Sequence, residues 1–138
     1  MRNRSLPWKI INGLFGALFL FAAALQFNDS DPLSWIAIYL AASAPCFLEW
    51  TRFARWPLPA VVGLFAIGWA LVHASGGAWT VPLGNMFDEW DMKNEQVRET
   101  REVFGLLIVA GWMLVLAATG IVRARRASEN PQPGTELR

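Results

Sequence analysis

Four uncharged apolar runs constrain this chain more than any motif does. They cover Ile10–Phe27, Leu33–Leu48, Leu58–Ser75 and Val103–Val122. A helix that crosses a bilayer needs about 20 predominantly apolar residues, within a range of about 17–25. The first and fourth runs meet that length outright, and the second is slightly short. Lipid offers no hydrogen-bond partner to a backbone, so such runs must be helices rather than open strands. The expected fold is therefore all-α, an integral membrane four-helix bundle. Residues 1–126 form its four-span domain. Residues 127–138, with Pro131, Pro133 and Gly134, read as a disordered tail.

Composition agrees and removes other classes. Of 138 residues, 54% are hydrophobic and only 17% are charged, which excludes a disordered chain. Twelve Lys and Arg against eleven Asp and Glu leave a net charge of +1, so there is no basic field for nucleic acid. One cysteine excludes an intrachain disulfide and a multi-cysteine zinc site. The expected partners are the lipid bilayer, with a second copy of the chain or another membrane protein as further candidates.

Punctuation marks the same boundaries. Asp31 before Pro32 suits a helix start, because Asp can cap free N–H groups and Pro fits the first turn. Pro57 and Pro59 open the third run, and Pro45 lies within the second. Trp35 and Trp50 stand near the ends of the second run, where indole rings anchor at the membrane interface. The basic start followed by an apolar run and Ala22-Ala23-Ala24 also fits a secretory signal. The run exceeds the usual signal core of about 7–15 residues, which favours a retained first span.

The charges divide by side. Arg2, Arg4, Lys9, Arg52, Arg55, Arg123, Arg125, Arg126 and Arg138 lie on one side with three acids, giving +6. Asp29, Asp31, Asp88, Glu89, Asp91, Glu95, Glu99 and Glu102 lie on the other with three basic residues, giving −5. The positive-inside rule then places both termini in the cytoplasm. The expected location is a bacterial inner membrane, with the acidic connections in the periplasm.

The residues able to do chemistry sit at the acidic ends of the helices. Gln26, Asn28, Asp29 and Asp31 crowd one turn, ahead of Trp35 and Tyr39. Carboxylates and amide oxygens suit a hard cation, although helix-end turns select the same residues for capping. On a helix, Glu95, Glu99 and Glu102 share a stripe that continues through Leu106, Val109 and Met113. Glu99 and Glu102 stand at the lip of a span, where an unpaired charge is costly. Arg98 and Arg101 flank them, so the stripe reads either as local ion pairs or as a partner for the Asp29/Asp31 turn. His73, the single histidine, is a weak metal candidate because no metal-ligand spacing accompanies it. Asn12 lies deep in the first run and is placed to bond another helix. Cys46 reads as a small buried hydrophobe. Segment Gly76–Asn94 mixes aromatic and acidic residues and reads as an interfacial segment or a lid.

Two of these stretches resemble a known family. Gln26-x-Asn28-Asp29-x-Asp31 with Trp35 and Tyr39 is similar to the first signature of the transmembrane protein 220 family. Glu99-x-Arg101-Glu102-x-x-Gly105-Leu106 with Trp112 is similar to its second. Ser30 stands where proline is expected. The resemblance implies a small multi-span helical membrane protein and no particular chemistry.

The functional expectation is a membrane protein with an outward acidic and polar cluster for a cation or small polar ligand. Its residues are Gln26, Asn28, Asp29, Asp31, Glu99, Arg101 and Glu102. The alternative is a structural or assembly protein in which the cluster only locks helix ends. No nucleophile elbow, phosphate loop or zinc-protease signature is present, which leans away from an enzyme. The sequence identifies no cofactor. The helices must bring Asp29 and Asp31 near Glu99, Arg101 and Glu102, with the first and fourth helices side by side.

Overall fold

The computed structural model describes residues 4–29, 31–75 and 95–130, with the side chains of the last segment described from Thr100 onward. The architecture is all-helical: α1 (Leu6–Leu25), a single 3₁₀ turn (Gln26–Asn28), α2 (Pro32–Leu48), α3 (Pro57–Ser75) and α4 (Glu95–Glu129). No strand occurs among the described residues.

Proline sets the helix starts. Pro7 sits in the first turn of α1, Pro32 opens α2, and Pro57 opens α3, positions where a missing N–H costs nothing. Asp31 occupies the position before α2, but its carboxylate makes no capping bond to the backbone. It accepts a hydrogen bond from the Ser34 hydroxyl instead, at 3.2 Å. At the other end of α2, the Thr51 N–H and hydroxyl both donate to the Leu48 carbonyl, at 2.9 and 2.8 Å. That satisfies an acceptor which the helix itself leaves open.

Charged ends extend the helices beyond the apolar runs. The first helix starts four residues before Ile10, and α4 exceeds the run Val103–Val122 at both ends. The helix covers residues 127–129 of the expected tail, and residues 131–138 lie outside the described residues. So does the segment Gly76–Asn94.

The protein is an integral membrane protein by its surface. Three helical stretches, Leu6–Asn28, Pro57–Ser75 and Thr100–Glu129, are long and apolar enough to cross a bilayer, and α2 is a shorter apolar helix. Leu14, Leu18 and Phe21 on α1 are more than half exposed, as are Val61, Leu64, Phe65, Leu71 and Val72 on α3. A soluble monomer rarely leaves so large an apolar surface uncovered.

Between helices the packing is close because the facing residues are small. Ala23, Ala42, Ala66, Ala70, Ala110 and Ala117 are buried, with Phe19, Ile38, Leu106, Met113 and Leu116 filling the space between them. Small residues allow the backbone approach that drives association in lipid, where hydrophobic burial does not. The stripe Leu106, Val109 and Met113 is buried as its spacing implies.

The backbones of α1 and α2 pack together, as do those of α3 and α4, while α2 touches both α3 and α4. The first and fourth helices have no close backbone approach. They meet through long side chains: the rings of Phe15 and Trp112 stack with centroids 3.9 Å apart. The Trp112 indole N–H donates to Asn12 Oδ1 at 3.3 Å. Asn12 thus bonds another helix, as its depth in the first run suggests, while its own amide donates to the Trp8 carbonyl.

Candidate functional site

The helices alternate in direction, so polar groups collect at two ends. One end holds the 3₁₀ turn, His73 and the start of α4. The other holds Arg4, the α2–α3 turn and the last third of α4.

At the first end, a tryptophan pair leads to a histidine and a carboxylate. Trp35 is only 4% exposed, so it does not anchor at the membrane interface as its place near the helix end suggested. Its ring stacks on Trp69 at 4.7 Å and tilts against His73 at 5.8 Å. The reason is register: Trp69 and His73 are four residues apart on α3 and form one face, and Trp35 packs on that face.

The Trp69 indole N–H donates to His73 Nε2 at 2.8 Å. With Nε2 used as an acceptor, hydrogen-bond geometry places the ring proton on Nδ1. Nδ1 faces Glu102 of α4 at 3.8 Å. That is an ion-pair separation and too long for a hydrogen bond. The Glu102 side chain is 14% exposed. Tyr39 closes the same region from α2: a Cβ built at Gly105 would run into its hydroxyl. Gly105 therefore has a steric reason to lack a side chain.

These contacts tie the two polar stretches of the sequence together. Tyr39 of the first lies on Gly105 of the second, and Trp35 reaches Glu102 through His73. The remaining candidates divide. Gln26 ends α1, and its side-chain amide donates to the Ala22 carbonyl at 3.3 Å. Its own carbonyl accepts from the Asp29 N–H at 3.0 Å. Asn28 and Asp31 are exposed, and Asp29 and Arg101 are half-buried. The side chain of Glu99 lies outside the described residues. Among the described residues no three His, Cys, Asp or Glu side chains stand together in a way that could hold a metal ion. His73 has both ring nitrogens directed at protein groups.

The second end was not singled out by sequence reasoning. Glu49 follows α2 directly, and its side chain is 8% exposed. Its Oε2 accepts from the Trp8 indole N–H at 2.7 Å and from the Arg123 guanidinium at 3.2 Å. Arg4 Nε lies 2.8 Å away, but its N–H is not aligned on the oxygen, so this contact is ionic. Arg4 also donates to the carbonyls of Glu49 and Thr51, at 3.0 and 2.7 Å. Burial pulls the Arg4 guanidinium below its ordinary range, Glu49 opposes that, and Arg123 adds to it. The Arg123 guanidinium also lies over the Trp8 ring, 5.6 Å from its centroid. The available signal was one acid bordering an apolar run on the strongly basic side.

Cys46 is buried between the two ends, and its thiol donates to the Ala42 carbonyl at 3.4 Å. It behaves as the small hydrophobe that its position implies.

Comparison with known proteins adds a family. Residues 18–118 match the family described as "Transmembrane family 220, helix". A relative named Transmembrane protein 220, from Xenopus laevis, is 29% identical over 118 residues, which cover 82% of this chain. The chain spans 60% of that relative's length. The relative is eukaryotic, so the likeness speaks for a membrane without indicating a bacterial one. No solved structure matches the chain. The matched region takes in both polar stretches and all the interhelical contacts that join them, and the chain belongs to transmembrane family 220.

Proposed function

We propose that the protein binds a cation or small polar ligand at the end that carries His73 and Glu102. The single observation behind this reading is the approach of Glu102 to His73. A carboxylate at the lip of a span faces an imidazole from another helix at a distance outside hydrogen-bond range. Together they bring a carboxylate and an imidazole from two helices to the polar end that also carries the other candidate ligand groups. Asp29, Asp31 and Asn28 on the neighbouring turn, and Glu99 and Arg101 on α4, complete the set of candidate ligand groups. In this reading α2 acts as the fourth span and the four helices form a bundle. The charge division supports a cytoplasmic position for the arginine-bearing end.

A second reading has a specific observation in its favour. Glu49 is closed by hydrogen bonds from Trp8 of α1 and Arg123 of α4 and by the Arg4 guanidinium just before α1, which is what a purely structural lock looks like. A protein whose polar groups all act in that way would be an assembly or scaffold protein.

Titration of the detergent-purified full chain with magnesium, calcium and manganese, followed by thermal unfolding, separates the two. A ligand that binds only the folded state raises its stability, by about 2.7 kcal/mol at a hundredfold excess over Kd. The expected result is a rise that Glu102→Gln and Asp29→Asn abolish. A lowered midpoint in these variants, with no cation dependence in the parent, would favour the structural reading.

A further inference from the structure

A cavity of about 420 Å³ opens beside the Glu49 lock. Four parts of the chain line it: Arg4 from the start of α1, Leu48 and Glu49 from the end of α2, the stretch Ala54–Pro59, and Leu116 to Ala124 on α4. From this lining we propose that the cavity receives the phosphate of an anionic membrane lipid. The proposal is independent of the cation reading, which concerns the opposite end.

Charge is the first argument. Three guanidiniums, those of Arg4, Arg55 and Arg123, line a space that holds one carboxylate, Glu49. The local excess is two positive charges. Glu49 engages Arg4 and Arg123, but Arg55 has no hydrogen bond or ion pair among the described residues and is exposed. A guanidinium with its donors open is suited to a phosphate, which it can grip with two parallel hydrogen bonds. Helix α3 begins at Pro57 in the cavity wall, so the positive end of its dipole adds to the same attraction.

The second argument is what surrounds the charge. Pro45, Leu48, Leu58 and Leu116 form an apolar part of the lining, continuous with the helices that face lipid. Trp56 stands in the wall against α4. A Cβ at Gly120 would run into it, so glycine there is what lets the indole-bearing turn lie close to the helix. A free phosphate ion has no use for an apolar lining, whereas a lipid carries a phosphate and its own hydrocarbon. Basic pockets between spans at the positively charged side of a membrane protein are suited to such headgroups.

Thermal unfolding and native mass spectrometry of the full chain would test this, in micelles carrying either phosphatidylglycerol or phosphatidylcholine. Inorganic phosphate serves as a third arm. Phosphatidylglycerol is expected to raise the midpoint and remain bound, with phosphatidylcholine and inorganic phosphate well behind. Arg55→Gln, which breaks no hydrogen bond or ion pair among the described residues, is expected to weaken retention of phosphatidylglycerol about tenfold or more, the loss of a charge-assisted hydrogen bond. Arg55→Lys is expected to fall in between. Equal stabilisation by phosphatidylcholine, or unchanged retention in Arg55→Gln, would overturn the proposal. Inorganic phosphate matching phosphatidylglycerol in midpoint shift and in its dependence on Arg55 would overturn the lipid as the source of the phosphate.

Discussion

The two ends of the molecule each bring a carboxylate to a basic group on another helix, and they do it differently. Glu49 is almost wholly buried, with one oxygen held by an indole and two guanidiniums. Glu102 is a little more exposed and faces one imidazole across 3.8 Å. The first arrangement leaves a departing partner with nothing to replace it. The second brings a carboxylate and an imidazole together at an ion-pair distance. Burial separates the two: the Glu49 side chain is 8% exposed and the Glu102 side chain 14%.

Substitutions can break that contrast. The largest effect is expected for Glu49→Ala, which strands Arg4 and Arg123 side by side and should cost about 3 kcal/mol, as for a broken buried pair. Reversible unfolding in detergent would measure it. A cost no greater than that of Glu102→Ala would end the distinction between the two ends. Next is Gly105→Ala, which drives a methyl group into the Tyr39 hydroxyl and should cost about 1–3 kcal/mol through overpacking. Tyr39→Phe should recover much of that loss, and a double-mutant cycle would reveal the coupling. Additive effects would mean that the two residues do not meet.

Asn12→Leu removes the acceptor of the Trp112 indole, and an interhelical bond of this kind is expected to contribute about 0.6–2 kcal/mol. The emission of Trp112, read in a variant that keeps it as the main fluorophore, should shift as its N–H loses its partner. The smallest stability effect is expected for Glu102→Gln, about 0–1 kcal/mol. It is also the substitution expected to remove any cation-dependent gain. A loss as large as that of Glu49→Ala would move Glu102 into the class of structural locks.

Much of the fold was legible because its causes are local. Uncharged runs give the helices, and prolines at 7, 32 and 57 give their starts. The face formed by Leu106, Val109 and Met113 follows from helical spacing alone. Helix ends were less legible, because polar residues such as Arg125 and Arg126 continue a helix that hydropathy alone would stop at Val122. Asp31 shows a second limit: it stands where a cap belongs, yet its carboxylate bonds to Ser34. The Glu49 lock was least legible. Its partners lie 45 residues before it and 74 residues after it, and no local pattern carries that information. At the other end, the resemblance singled out Trp35, Tyr39, Glu102 and Gly105. Only the fold explains why these four belong together, through an intervening histidine from a third helix.

Trp112 has a consequence for how the molecule is built. Backbone packing pairs α1 with α2 and α3 with α4, and the first and last helices touch through side chains, Trp112 on Phe15 and Asn12, and Arg123 on Trp8. A ribosome delivers α1 and α2 to the bilayer well before α4 exists. Phe15 and Asn12 Oδ1 therefore gain this partner only from a residue nearly a hundred positions later. The stacking of Trp112 on Phe15 therefore belongs to the last stage of assembly, when the first and last helices can meet.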